Sequence, residues 1–121
     1  MALRKIKLYG TTDASGDLTI TSNVNLLGYL HQVRWIDGDL DDGIDAVLSV
    51  DSADGASPDI TLLTLTNAND DAIYFPRELE DDNAGSALVT YTWPVVDGAL
   101  KLVISDGGNA KSGGCIAYVE V

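Results

Sequence analysis

The chain has 121 residues, an apolar fraction of 45% and a formal net charge of −12 from 19 acidic and 7 basic residues. This length and apolar content suit one packed core and exclude a disordered protein, so we expect a single domain over 1–121. The negative charge repels phosphate backbones and argues against a nucleic-acid partner. The start of the chain is not typical of a secretory signal, and no apolar run approaches the ~18 residues of a membrane span. We therefore expect synthesis in the cytoplasm and no membrane partner.

The first half of the chain reads as short strands separated by turn clusters. An apolar run at 2–9 is followed by 17–22, where apolar and polar residues alternate as in a half-buried strand. The run 28–36 is rich in aromatic and β-branched residues. Further strands are predicted at 44–50 and at 59–66, where Thr alternates with Leu or Ile.

The strands continue after the middle of the chain. Residues 72–75 predict a short strand that Pro76 ends, because proline cannot donate to a sheet ladder. Residues 78–87 predict a polar connection with room for one helical turn, and 88–93 return to the β pattern.

The last strands are predicted at 99–105 and 115–121, with a glycine-rich loop between them over 106–114. Asp97-Gly98 is a turn dipeptide between two apolar runs and predicts a hairpin turn. Many short strands with regular turn signals and no amphipathic helix indicate an all-β fold. We predict an antiparallel β-sandwich of the jelly-roll type with eight or nine short strands.

Aspartate provides 16 of the 19 acidic residues. Its short side chain bonds nearby backbone N–H groups, which favours turns and caps. We therefore expect solvated turn carboxylates, which are poor candidates for the tuned acid pair of a glycosidase.

The chain has one histidine and one cysteine as candidates for catalysis or metal binding. His31 falls inside a predicted strand, where a buried or half-buried histidine is expected. Cys115 opens the last predicted strand and is expected to be a small core residue that forms no internal disulfide. One His and one Cys cannot build a usual zinc site, and a G-x-S-x-G nucleophile motif is missing. We assign no catalytic, cofactor-binding or metal-binding residue and predict that the protein is not an enzyme.

Two loops resemble ligand-binding motifs without matching them. The acidic loop 37–43 has alternating aspartates, but the sixth and twelfth positions of an EF-hand loop would fall on Asp42 and Leu48. A solvated acidic turn is expected there, and calcium binding between loops stays open. The loop 107–114 lacks the spacing of a phosphate-binding loop and is expected to be a permissive hairpin connection.

Aromatic and basic residues leave two further questions open. Core packing is expected to explain most aromatic residues, although Trp35 or Trp93 could form a sugar-stacking platform. The basic residues Arg4, Lys5 and Lys7 predict a charge-protected edge strand or, alternatively, a basic arm that docks on an acidic partner.

Three segments together carry a resemblance to a known group of proteins. They are TTDASGD at 11–17, IYFPRE at 73–78, and the closing DGALKLVIS at 97–105 followed by GGNAKSGG at 107–114. These segments resemble small proteins encoded among the head genes of tailed bacteriophages and prophages. Members with an assigned role resemble capsid cement, or decoration, proteins. The resemblance covers most of the chain, and its motifs are structural turns.

The resemblance implies a virion structural protein that binds the major capsid protein and stabilises the outer surface of the head, as a homotrimer without a cofactor. The expected location is the capsid exterior of the virion, after synthesis in the host cytoplasm. An acidic protein fits that location because packaged DNA would repel it. The first and last strands are the expected pairing edges. The alternative is a carbohydrate- or receptor-binding β-sandwich module of a phage tail or fibre.

Overall fold

The computed structural model describes residues 2–51 and 59–121, and these contain strands but no helix. The all-β prediction is confirmed, although the described residues hold ten strands where eight or nine were expected. The strands are β1 Leu3–Thr11, β2 Leu18–Thr21, β3 Leu26–Ile36, β4 Asp45–Asp51, β5 Ile60–Thr66, β6 Ala72–Tyr74, β7 Glu78–Asp81, β8 Ala87–Thr92, β9 Val95–Ser105 and β10 Ser112–Glu120.

Two antiparallel sheets make up the sandwich. Sheet I has the order β1-β10-β3, with β6 paired to the end of β3 and the first part of β9 paired to its start. Sheet II has the order β2-β9-β4-β5. A separate two-stranded ladder joins β7 to β8. The connection order of a jelly roll stays a prediction.

Strand β9 belongs to both sheets. Residues 95–98 pair with β3 in sheet I, whereas residues 99–105 pair with β4 in sheet II. Gly98 lies at the change of partner with a φ of 137°, a backbone conformation that L side chains rarely adopt. The predicted hairpin turn at Asp97-Gly98 is therefore wrong. The glycine redirects one strand from sheet to sheet and does not reverse the chain.

The core forms where the inner faces of the two sheets meet. Along β1, β3, β4, β9 and β10, inward-pointing buried residues largely alternate with more exposed ones, as the period of a strand requires. The indole Nε1 of Trp35 donates a hydrogen bond of 3.0 Å to the carbonyl oxygen of Ala68, which satisfies the buried polar atom of this large side chain. Other members of the buried cluster include Leu8, Leu30, Leu48, Leu100, Leu102, Ile104, Ala117 and Val119.

Residues 78–92 form a β-hairpin, so the predicted polar connection with a helical turn is wrong. Its turn is closed by Asp82, whose Oδ1 accepts hydrogen bonds from the backbone N–H groups of Ala84 and Ser86, each at 2.9 Å. An aspartate that binds two backbone N–H groups in this way favours reversal of the chain over a helix. Every residue of β7 and β8 is exposed.

The edges of sheet I differ from the expected pair. Strand β1 is an edge, as predicted, because its ladder runs along β10 alone. The last strand is not an edge, because β10 lies between β1 and β3 and uses both of its hydrogen-bonding sides. It also begins at Ser112, three residues earlier than predicted.

Replacing Trp35 by Phe should destabilise the fold. The change leaves the carbonyl oxygen of Ala68 without its donor and empties part of the core, so we expect a loss of about 1–3 kcal/mol in the free energy of unfolding. Urea unfolding followed by circular dichroism measures it. The control is Thr64→Val at an exposed position of β5, where a change within about 0.5 kcal/mol is expected. Equal urea midpoints for wild type and Trp35→Phe would contradict the described core.

Candidate functional site

The two sequence candidates for catalysis lie on opposite faces of sheet I. His31 is half-buried on the outer face, with its Nε2 3.3 Å from Oε1 of Glu120 and its ring centroid 3.8 Å from that of Trp93. Cys115 points into the core and is 1% exposed. Both placements confirm the structural interpretation of these residues, and the structure does not bring them together.

Turn aspartates carry out the expected capping. Oδ1 of Asp13 accepts hydrogen bonds from the N–H groups of Ser15 and Asp17 at 2.9 and 3.0 Å. Asp45, the first residue of β4, instead accepts a hydrogen bond at its Oδ1 from the N–H of Asn67 at 3.1 Å. Both carboxylates hold loops in place. The sequence preference of aspartate for turns predicts the role of Asp13 but not the long-range contact of Asp45.

Hydrogen bonds between backbone N–H groups and carboxylates hold the acidic loop 37–43 on neighbouring segments of the chain. The N–H of Asp37 donates to Oδ1 of Asp71 at 2.8 Å, and Oδ1 of Asp39 accepts from the N–H of Ser112. Within residues 2–51 and 59–121, no group of three or more His, Cys, Asp or Glu side chains converges as metal ligands do.

Burial raises the pKa of Asp37, and neighbouring carboxylates, that of Asp42 first among them, raise it further. Its Oδ1 is buried without a hydrogen-bond partner, so the ionised form is poorly stabilised.

The glycine-rich loop is shorter than predicted, because β10 begins inside it. Several hydrogen bonds join it to neighbouring loops. Among them, Thr12 Oγ1 donates to the carbonyl oxygen of Gly108 at 2.5 Å, and the N–H of Asp41 donates to the carbonyl oxygen of Gly107 at 3.0 Å. The loop therefore packs on its own chain, as a structural connection does.

Most aromatic side chains lie outside the core, which contradicts the expected packing role. Tyr29, Phe75 and Tyr91 are 45%, 60% and 65% exposed, and Trp93 is 37% exposed. Trp35 is buried at 2% exposure, so it cannot stack on a sugar, and Tyr74 is partly buried against the core. The alternation of apolar and polar residues along a strand shows that the strand has two different faces. It does not show which of them meets the second sheet.

Aromatic and basic side chains meet on the outer face of sheet I. Register places Arg34 beside Ile116, with Lys7 on the other side of Ile116. The guanidinium of Arg34 lies 4.9 Å from the ring centroid of Tyr118, within the range of a cation–π contact. We use "outer face" for the surface formed by Tyr29, His31, Gln32, Arg34, Ile73, Phe75, Arg77, Trp93, Ile116, Tyr118 and Glu120.

Positive charge is concentrated on β1 and on the outer face of sheet I. Five of the seven basic residues lie on β1 or on the outer face, and among the described residues none of the five forms an ion pair with a carboxylate. Lys101, in sheet II, is paired with Asp59. A group of uncompensated cations on a chain of charge −12 creates a local site of attraction for an acidic surface. The five residues are Arg4, Lys5, Lys7, Arg34 and Arg77.

Comparison with known proteins adds little. No protein-family model matches the chain, and no curated protein matches it. A solved structure of an exo-β-1,3-galactanase from Phanerochaete chrysosporium, determined with galactose, is similar over 95% of this chain and 27% of its own, at 13% identity and a TM-score of 0.34. The chain thus spans about a quarter of the length of that protein. No helix among the described residues is long and apolar enough to cross a membrane.

Cys115 should resist thiol reagents while the protein is folded. Burial raises its pKa to about 12, so at pH 8 only about one thiol in ten thousand is ionised, and access is also blocked. Reaction with Ellman's reagent should be negligible in buffer and reach one thiol per chain in guanidinium chloride. Fast stoichiometric labelling of the folded protein would show instead that the core around β10 opens readily.

Replacing Asp37 by Asn should raise the melting temperature at pH 7. A carboxyl whose pKa is raised on folding favours the folded state only when protonated, and that contribution is lost as the pH rises through the folded pKa. The difference between variant and wild type should therefore vanish below about pH 4. Asp17→Asn, at an exposed turn, is the control. A lower melting temperature for Asp37→Asn, together with stabilisation of the wild type by calcium, would indicate a calcium site in loop 37–43.

Proposed function

We propose that this protein is a bacteriophage virion structural protein, a cement protein that binds the major capsid protein on the outer surface of the head and stabilises it as a homotrimer. The proposal combines the sequence resemblance with one structural observation. The outer face of sheet I presents exposed aromatic rings together with uncompensated arginines.

This combination suits a protein interface more than an ordinary solvated face. Aromatic residues and arginine are enriched in the energetically dominant parts of interfaces. Here Arg34 is held over Tyr118, and the guanidinium of Arg77 lies 5.6 Å from the ring centroid of Trp93. Side chains held in these contacts lose less conformational entropy when a partner binds.

The positions of the charges would also orient binding. The uncompensated arginines would attract an acidic surface, while the acidic remainder of the chain would be repelled by it. A protein that binds only the assembled shell stabilises it by mass action, and the stabilisation increases with the ratio of its concentration to its dissociation constant. No chemical step is needed for this role.

A carbohydrate- or receptor-binding module is the second candidate, and one observation favours it. The rings of Tyr29 and Trp93 lie 6.4 Å apart between centroids on an exposed surface. Contacts from His31 and Arg77 already occupy part of the Trp93 ring, which reduces the area left for a sugar. Binding on a glycan array that Trp93→Ala abolishes would favour this candidate.

Adding the purified protein to heads that lack it tests the leading proposal. Cryo-electron microscopy should show added density on the outer surface, and the decorated heads should resist heating better than bare heads. Arg34→Glu and Phe75→Ala should each weaken binding at least about tenfold, because they remove central contacts of the outer face. Lys111→Glu, in the loop before β10, carries the same charge change as Arg34→Glu and should bind like wild type.

The results of this experiment distinguish binding through the outer face from an effect of net charge. Heads without added density would refute the head-binding role. Binding that Arg34→Glu and Lys111→Glu reduce equally would assign the effect to net charge and remove the outer face as the binding surface.

A further inference from the structure

The β7–β8 hairpin carries apolar side chains that are exposed to solvent. Val89 is 94% exposed, Tyr91 65%, Leu88 43% and Leu79 42%. A two-stranded hairpin alone is at best marginally stable in water and normally packs on further structure. The hairpin is nevertheless well defined at its base, where Pro94 is buried and its carbonyl oxygen accepts a 3.0 Å hydrogen bond from the N–H of Leu30. It therefore has the features of an arm that binds another molecule.

The charges of the hairpin and of β1 are complementary. Residues 78–92 contain four carboxylates and neither Lys nor Arg, whereas residues 2–12 contain three basic residues and no acid. All seven charged side chains belong to exposed residues, and in the described part of the chain none of them forms an ion pair. They are Glu78, Glu80, Asp81 and Asp82 on the hairpin and Arg4, Lys5 and Lys7 on β1.

The backbones of the two elements are complementary as well. Strand β1 is paired on one side alone, by β10, and β8 is paired by β7 alone. An exposed strand edge can accept a further strand through main-chain hydrogen bonds. Beside this edge, a groove of about 480 Å³ between β1 and β2 is lined by Lys5, Ile20 and Val24 among others, and it offers space for side chains of an added strand.

We propose that the β7–β8 hairpin of one copy docks on β1 of a second copy. The occupant is a copy of this chain because the chain itself carries both surfaces, with opposite charges and free strand edges. The two surfaces differ, so the contact is heterologous, and each copy donates one hairpin and receives another. Closure of this arrangement gives a ring. The inference rests on the proposed function only for the expected number of three copies.

Charge reversal in solution, without heads, tests this contact. Light scattering and sedimentation of the wild type should give a multiple of the 12.8 kDa chain mass, shifting towards the monomer at high salt. Glu78→Lys with Glu80→Lys should lower the association constant at least about tenfold, and so should Lys5→Glu with Lys7→Glu. A chain carrying all four substitutions should associate more strongly than either double variant, because the new lysines on the hairpin then face new glutamates on β1. Arg4, Asp81 and Asp82 keep their original signs, so the recovery is expected to be partial.

Asp17→Lys with Asp70→Lys is the matched control. It changes the net charge as much as the hairpin variant does, at exposed positions outside both surfaces, and should leave the mass unchanged. Circular dichroism checks that each variant is folded.

Each outcome supports or refutes the proposed contact between the hairpin and β1 of a second copy. A monomeric wild type at low salt would overturn the proposal, and so would a fourfold variant that associates no more strongly than either double variant. A monomer whose hairpin variants no longer bind heads would assign the hairpin to the capsid instead. A ring that forms in solution but does not bind heads would refute the head-binding role and leave the hairpin contact standing.

Discussion

The path of β9 through both sheets is the constraint on which the remaining structure depends. Its first residues pair with β3 and its later residues with β4, and the partner changes at Gly98. One continuous strand thus fixes the position of sheet II relative to sheet I. The inner side chains of both sheets meet in a single buried cluster as a result. The outer face of sheet I is left uncovered by any other described element.

The same strand determines where the exposed hairpin leaves the body. Residues 93–94 connect β8 to β9, and burial of Pro94 fixes this junction. Trp93 beside it touches His31 and Arg77, so the base of the hairpin and the outer face share side chains. The surfaces proposed for the head and for a second copy are therefore neighbours on a rigid framework, and a ring of copies would present its outer faces in a fixed arrangement.

Residue types and their short-range patterns predicted part of this structure correctly and gave wrong predictions for other parts. The alternation of apolar and polar residues located most strands, and aspartate marked the turns. The core position of Cys115 followed from its place in a predicted strand, where cysteine is usually a small core residue. Asp97-Gly98 has the composition of a hairpin turn, but the same dipeptide also serves where a strand changes sheets. Residues 78–87 are too polar to read as a strand, because β7 is exposed on both faces and carries no alternation to detect. The aromatic residues were assigned to the core because apolarity normally indicates burial.

The sequence by itself determined the class of fold, the turn-forming role of the acids and the separation of basic from acidic segments along the chain. These properties depend on residues near one another in sequence. Only the tertiary structure decided which face of each strand meets the second sheet, that β10 is internal, and that Arg34 and Arg77 lie among exposed aromatic rings on the outer face of sheet I. Those outcomes depend on strand register between residues more than a hundred positions apart, such as Lys7 and Ile116, and no local pattern encodes that pairing.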